Sequence, residues 1–210
     1  IKNKSPYLGK IYTKKDVETA FKLYQGQIKF DQATDSVVLS KINEQKVVAV
    51  FGGGSESGRR ALGNRSILAD PRNKDMKKKI NEKVKHREWF RPFAPSILEE
   101  KVNEWFEEPY DNPYMSFTIK FKEQKKGKVP AGVHIDGTGR LQTVNKNLSP
   151  WLHNFITKWE AISGIPILLN TSFNDSEPIV ETPDDALKCF LGTEIDYLYF
   201  FDYGIMVTKS

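Results

Sequence analysis

Residues 46–72 read KVVAVFGGGSESGRRALGNRSILADPR, and this stretch decides the fold class. Its opening, KVVAVF, is a β-branched, aromatic-ended run with the length and composition of a buried strand. It feeds directly into Gly52, Gly53 and Gly54. Residues 66–69, SILA, form a second short strand stopped by Asp70-Pro71, because proline cannot donate to the next ladder bond. The loop between them holds Ser55, Ser57 and Gly58, then Arg59, Arg60 and Arg65. Glycines let a backbone approach a ligand closely, and guanidinium forks match phosphate oxygens. The loop is neither GxxxxGK[ST] nor GxGxxG. A tight turn with surface ion pairs accounts for the same residues, and the residues alone leave both readings open.

Working outward, Thr13 with Asp16 three residues on reads as a helix start, and Val17, Ala20, Phe21 and Tyr24 mark its apolar face. Val37, Val38 and Ile42 suggest a second short helix. Residues 75–84 carry Met76, Ile80 and Val84 at helical spacing, opposite Lys77, Lys78, Lys79 and Lys83. Residues 96–98 read as strand, 99–106 as a helical turn or two, 113–121 as an alternating strand, and 122–128 as a solvated turn. Ser149-Pro150 opens a helix with the stripe Trp151, Leu152, Phe155, Ile156, Trp159, closed by Gly164. Residues 165–169 form a strand running into Asn170. Thr182-Pro183-Asp184-Asp185 starts a last helix whose core face is Ala186, Leu187, Cys189 and Phe190. Residues 197–207 supply one or two closing strands. The expectation is one α/β domain over 1–210, with about seven strands and five helices in irregular alternation.

Composition bounds the function. With 39% hydrophobic and 12% aromatic residues the chain can bury a real core. Net charge is +5 from 32 basic and 27 acidic residues, which favours anionic partners but lacks the segregated excess of a nucleic-acid binder. A single cysteine excludes an internal disulfide and fits a reducing, cytoplasmic setting. No apolar run nears the ~20 residues of a membrane span, and no signal peptide is visible. The chain opens on Ile1, so it is expected to be a piece of a longer protein.

Three further segments carry chemistry. In residues 83–95, Lys83, Lys85, Arg87 and Arg91 alternate with Val84, His86, Glu88 and Phe90, which would put four cations on one side of an extended segment. Trp89, Phe90 and Phe93 would wall it. In HIDGTGRLQTV, residues 134–144, Gly137 and Gly139 mark a turn between strands. His134 and Asp136 share a face there, so His134 with Asp136 as partner is a candidate base or metal ligand. Arg140 is the stronger candidate for binding phosphate or carbonyl oxygen. Asn170, Thr171, Ser172 and Asn174 stand at the carboxyl end of an apolar strand, where α/β sheets hold ligands. A solvated basic face, a structural histidine and an Asx or Ser turn are the respective structural readings.

Together the stretches RALGNRSILADPR, VKHREWFRPFAPSILEE, HIDGTGRLQTV, GIPILLNTSFN and EPIVETPDDALKCF resemble, in the same order, the C-terminal domain of the O-carbamoyltransferase family. SPYLGKIYT, residues 5–13, resembles the family's lead-in to that domain. The family includes the nodulation-factor, cephem and aminoglycoside carbamoyltransferases. The resemblance implies a YrdC-like, twisted mixed sheet flanked by helices. It implies a domain that takes ATP, with Mg²⁺, and carbamoyl phosphate, forms a carbamoyl-adenylate with release of pyrophosphate, and passes the carbamoyl group to an acceptor hydroxyl. The acceptor site and a metal would belong to an N-terminal Kae1-like domain outside this chain, and no metal site is expected here. By resemblance, Arg60 and Arg140 contact carbamoyl phosphate and the ATP phosphates, and Lys85 and Arg91 bind nucleotide phosphate, with Arg65 and Arg87 as further cations. Ser172 contacts the carbamoyl or phosphate group, with Asn170 and Asn174 beside it, and His134 sits at the carbamoyl end. The alternative is a nucleotide- or RNA-binding module without catalysis, using the lysines of 74–85. Where the family reads GRMEFGPRALG, this chain has GGSESGRRALG: Gly54 replaces an arginine and Arg59 a proline, and Arg59 is positioned to restore the lost charge.

Overall fold

Two threonines start two of the helices that cover one face of the sheet. Thr13 accepts from the Asp16 amide while the Asp16 carboxylate accepts from the Thr13 amide. Thr182 and Asp185 repeat this reciprocal cap, which satisfies amides that have no partner inside the helix. In the computed structural model, residues 5–210 are described; residues 1–4 of the single domain expected over 1–210 lie outside them. The chain runs α1 (Lys14–Leu23), β1 (Ile28–Gln32), α2 (Asp35–Asn43), β2 (Val48–Phe51), β3 (Arg65–Ala69), α3 (Met76–Lys83), β4 (Ala94–Leu98) and α4 (Val102–Trp105). It continues through β5 (Ile119–Lys120), α5 (Glu123–Lys126), β6 (Thr138–Gly139), β7 (Gln142–Val144), α6 (Pro150–Ser163), β8 (Ile167–Ser172), α7 (Pro183–Gly192), β9 (Tyr197–Phe200) and β10 (Ile205–Lys209).

Eight strands form one mixed sheet in the order β1-β10-β9-β2-β3-β8-β4-β7, and β5 pairs with β6 beside it. Only β2–β9 and β4–β7 are parallel. The central strands are buried on both faces, so successive side chains enter different layers. Val48 and Val50 pack with α2 and with Leu152, Phe155, Ile156 and Trp159 of α6. Ala49 and Phe51 pack with α1, α3 and α7 on the other side. Trp105, Phe106, Phe121 and Leu141 form a third cluster at the β4–β7 end. The α6 stripe is apolar as its spacing predicts, and Trp159 also donates its indole N–H to the Ile167 carbonyl at 2.9 Å. Gly164 ends the helix at φ 72°, a left-handed conformation favourable only to residues without a Cβ.

The alternating strand expected over 113–121 shrinks to Ile119–Lys120. Asn112, 2% exposed, donates its Nδ2 to the Phe117 and Leu141 carbonyls at 2.9 Å and accepts from the Ser116 amide at 2.8 Å. One side chain thus satisfies backbone groups that a ladder would have used. The solvated turn at 122–128 contains the short α5. The cation-lined extended segment at 83–95 does not exist: α3 runs to Lys83, β4 begins at Ala94, and His86 between them has φ 44°.

Strand direction decides where the loops gather. β2 and β8 run the same way, each antiparallel to β3, and β4 and β7 run against β8. The ends of β2 and β8 therefore lie beside the starts of β3, β4 and β7. Residues 52–64, 84–93, 140–141 and 172–180 meet at that one end of the sheet.

Candidate active site

The loop 52–64 is held rigidly from within. The Glu56 carboxylate accepts from the amides of Leu62 (2.7 Å), Asn64 (2.9 Å) and Arg65 (3.3 Å). Residues 6–9 lie across the loop: Ser57 donates its amide to the Pro6 carbonyl at 2.7 Å and Gly9 to the Ser55 carbonyl at 3.1 Å. Tyr7 donates its hydroxyl to the Leu62 carbonyl at 2.9 Å and touches Ser149; burial pushes its pKa up. A Cβ at Gly52 would lie 2.5 Å from the Phe201 ring, and one at Gly54 2.6 Å from the Gly9 carbonyl. These two glycines therefore admit the protein's own ring and strap. The close approach expected at these two glycines is made by the protein itself, not by a ligand.

Arg65 leaves the set of expected phosphate ligands. It is fully buried and donates to the Gly52 (2.7 Å) and Asn64 (2.9 Å) carbonyls, with a longer bond to Gly53 at 3.4 Å. Its guanidinium lies 3.6 Å over the Phe51 ring. It closes the base of the loop as a fastener.

Arg59, Arg60 and Arg140 converge instead. They line a cleft of ≈ 140 Å³ with Arg87, Asn170 and Ser172. Arginine ion pairs among the described residues are Arg72 with Asp70 and Arg91 with Glu88, so Arg59, Arg60 and Arg140 pair with no carboxylate of those residues, while Arg87 feels Glu88 from a distance. Burial lowers the pKa of Arg60, and repulsion from Arg140 and Arg59 lowers it further. An uncompensated cluster of cations is an anion site by simple electrostatics. Arg87 is held in place by its bond to Asn81 Oδ1 at 2.7 Å. A second cleft of ≈ 400 Å³ adjoins the first, and Arg59 and Ser172 line both. It is walled by Pro178, Ile179 and Val180, with Glu56 and Glu181 as its acids.

Lys85 is turned inward, 5% exposed. Its ammonium lies 2.5 Å from the Ser172 carbonyl and 2.7 Å from both the carbonyl and Oδ1 of Asn174, with Ser172 Oγ at 3.3 Å. Burial, then the nearby Arg87, brings its pKa down to about 7. Ser172 donates its hydroxyl to Asn174 Oδ1 at 2.7 Å, and Asn174 donates to the Glu177 carbonyl at 2.6 Å. Lys85 thus ties the carboxyl end of β8 to the turn after α3.

Arg91 is exposed and paired at 3.4 Å with Glu88, and it lines neither cleft. Of the aromatic residues expected to wall this segment, Phe93 is buried while Trp89 and Phe90 are exposed. His134 does not pair with Asp136. The Asp136 carboxylate accepts from the amide (3.0 Å) and hydroxyl (2.8 Å) of Thr138. With that hydroxyl proton committed, Thr138 Oγ1 accepts from His134 Nδ1 at 3.2 Å, leaving Nε2 as the ring's lone-pair nitrogen. Burial lowers the His134 pKa, Arg140 and Lys77 lower it further, and Asp136 opposes them. The lysine face of α3 is largely neutralised: Lys79 pairs with Asp196 at 3.1 Å, Lys83 with Glu194 at 2.9 Å, and Lys77 donates to the Val133 carbonyl.

Sequence reasoning missed Ser96 and Gln142. Ser96 donates to Gln142 Oε1 at 2.7 Å, and Gln142 Nε2 donates to the Leu62 carbonyl at 2.8 Å. The available signal was Ser96 inside the short, otherwise apolar β4; Gln142 opens β7, whose sequence Gln-Thr-Val gives no such contrast.

Comparison with known proteins agrees with this architecture. The family described as "Carbamoyltransferase C-terminus" matches residues 39–207. Nodulation protein NolNO of Sinorhizobium fredii is 44% identical, the match covering 90% of this chain and 29% of that protein. Nodulation protein NolO of Bradyrhizobium diazoefficiens is 46% identical over 80% of this chain and 32% of its own length. The chain thus spans about a third of the curated relatives it matches. The crystal structure of full-length HypF in the phosphate- and nucleotide-bound form superposes with a TM-score of 0.55 at 17% identity, covering 87% of this chain and 22% of HypF. That likeness is one of fold, the mixed YrdC-like sheet with flanking helices. With the family match across most of its length and relatives above 40% identity, this chain belongs to the carbamoyltransferase C-terminal domain family.

Proposed function

We propose that this domain binds carbamoyl phosphate and Mg-ATP; water cleaves carbamoyl phosphate to carbamate and inorganic phosphate, and the carbamate oxygen then attacks the ATP α-phosphorus and displaces pyrophosphate, giving a carbamoyl-adenylate for transfer to an acceptor hydroxyl. The observation that supports the reading is the convergence of Arg59, Arg60 and Arg140, without carboxylate partners among the described residues, beside Asn170 and Ser172. Two anionic reactants repel each other, and fixed cations at their meeting point offset that repulsion and the charge building on the leaving groups. The cleft takes the phosphate groups. The adjoining chamber takes the nucleoside, whose hydroxyl and amino donors suit the carboxylates of Glu56 and Glu181.

Lys85 holds Ser172 and Asn174 in place rather than reaching the ligand, because its donors are engaged by the chain itself. Arg87 reinforces the cation cluster. His134, on the turn that precedes Arg140, lines neither cleft and keeps a neutral ring at pH 7. Mg²⁺ arrives bound to the ATP phosphates. The acceptor site and its metal lie in an N-terminal partner domain, consistent with relatives about three times as long, and the reaction runs in the cytoplasm. No helix among the described residues is long and apolar enough to cross a membrane.

The test is calorimetric titration of the chain with Mg-ATP, with and without carbamoyl phosphate. Saturable one-to-one binding, lost in Arg60→Ala and Arg140→Ala variants that keep their thermal transition, is expected. Equal binding by wild type and both variants would refute the assignment of the cleft.

A further inference from the structure

Asn170 stands at the centre of a buried network whose directions can be read. Ser96 donates its hydroxyl to Gln142 Oε1 at 2.7 Å, so toward Asn170 that hydroxyl can only accept. Gln142 Oε1 is an acceptor by nature. Asn170 Nδ2 donates to both, each at 3.0 Å. The amide orientation is therefore dictated by its partners. Gln142 is in turn anchored through Nε2 on the Leu62 carbonyl. Asn170 itself is 1% exposed and lines the cleft with Arg60 and Arg140. Its other amide atom, Oδ1, is buried and has no hydrogen-bond partner among the described residues.

A buried, partnerless acceptor is rare in native proteins and calls for a donor that arrives from elsewhere. The arginines bring an anion to the same cleft. The ligand that satisfies both demands carries an N–H₂ group next to a phosphate ester or anhydride. The geometry points to Asn170 Oδ1 as the group that selects carbamoyl over acyl: it accepts a hydrogen bond from the carbamoyl N–H₂ of the bound donor, and a methyl group in that place leaves it unpaired. This inference rests on the proposed carbamoyl phosphate site and adds to it the atom that distinguishes carbamoyl phosphate from acetyl phosphate. A site built to bond an N–H rejects an isostere lacking it far more strongly than an apolar pocket does.

The test uses two stable ligands that differ only in this group, phosphonoacetamide and acetonylphosphonate, titrated calorimetrically into the chain. The wild type is expected to bind the amide about tenfold or more tightly than the ketone. In Asn170→Ala the ratio of the two affinities should fall to near unity, whereas general loosening of the site weakens both ligands alike and leaves the ratio in place. Equal affinity of the wild type for both ligands overturns the inference while leaving the anion cleft standing, and needs no variant. A ratio that survives in Asn170→Ala also overturns it. Binding of neither ligand removes the cleft assignment itself, and the inference with it.

Discussion

Replacing Arg60 by methionine should move stability and ligand binding in opposite directions. Arg60 shares the cleft with Arg59 and Arg140, and both neighbours disfavour its charge. Coulomb's law at an effective dielectric between that of a protein surface and water gives about 1 kcal/mol of repulsion per like pair a few ångströms beyond contact. Arg60 is partly exposed, so solvent screening reduces the sum over two neighbours to roughly 0.5–1 kcal/mol. Methionine keeps much of the side-chain packing, and Arg60 makes no hydrogen bond or ion pair among the described residues. The melting temperature should therefore rise by about 1–4 °C, given the ~2–4 °C per kcal/mol of domains this size. Anion binding should weaken, since a charge-assisted bond contributes about 1.5–3 kcal/mol, or roughly 10- to 150-fold in affinity. Differential scanning calorimetry in low salt, repeated near 1 M salt, measures the first effect, which should fade as screening shortens to ~3 Å. Titration with pyrophosphate measures the second. A fall of several degrees on substitution, or a pyrophosphate affinity within twofold of wild type, would show that Arg60 is a structural cation and that the reasoning fails.

Arg65→Met should act in the opposite sense, costing about 2–4 kcal/mol in chemical denaturation because it strips buried carbonyls of their donor; a loss below ~1 kcal/mol would return Arg65 to the pool of exposed ligands. Lys85 has a folded pKa near 7 against an ordinary 10.5, so between those values the unfolded chain binds a proton that the folded chain does not, and stability should rise with pH. The slope is at most about 1.4 kcal/mol per pH unit, and Lys85→Met should flatten it across that window; an unchanged slope would place the ammonium in a favourable setting despite its burial. His134 has a pKa held below 6.5, so it stays neutral at pH 7, and its share of stability diminishes as pH falls from 6.5 through the folded value. Its ring resonances should titrate below 6.5 by NMR, with a chemical-shift pattern of the Nδ1–H tautomer; a midpoint above 6.5 would contradict the burial argument.

The readable parts of the fold are those in which local chemistry and tertiary packing ask for the same residues. Thr13 with Asp16 and Thr182 with Asp185 cap helices in any context, and both caps form. The α6 stripe from Leu152 to Trp159 is apolar at helical spacing and is buried as read. β1 escaped notice because only Ile28 of its five residues is buried, so no alternation exists to detect. Residues 113–118 alternate convincingly, yet the competing bonds of Asn112 prevent a strand there, and those bonds depend on Leu141, far along the chain.

For the site, sequence alone determined which residue types were at hand: clustered arginines, a histidine turn and a polar strand end, set in stretches that resemble one enzyme family. It could not sort one arginine from another, because a guanidinium's role depends on what faces it. Arg60 and Arg140 face one another across a cleft, Arg65 faces the carbonyls of its own loop, and Arg91 faces Glu88 and solvent. The antiparallel placement of β3 between β2 and β8 decides this, bringing the 52–64 loop against Asn170 and Ser172. Charge is a property of the residue, but whether that charge is neutralised, buried or left to attract a ligand is a property of the neighbours that folding supplies.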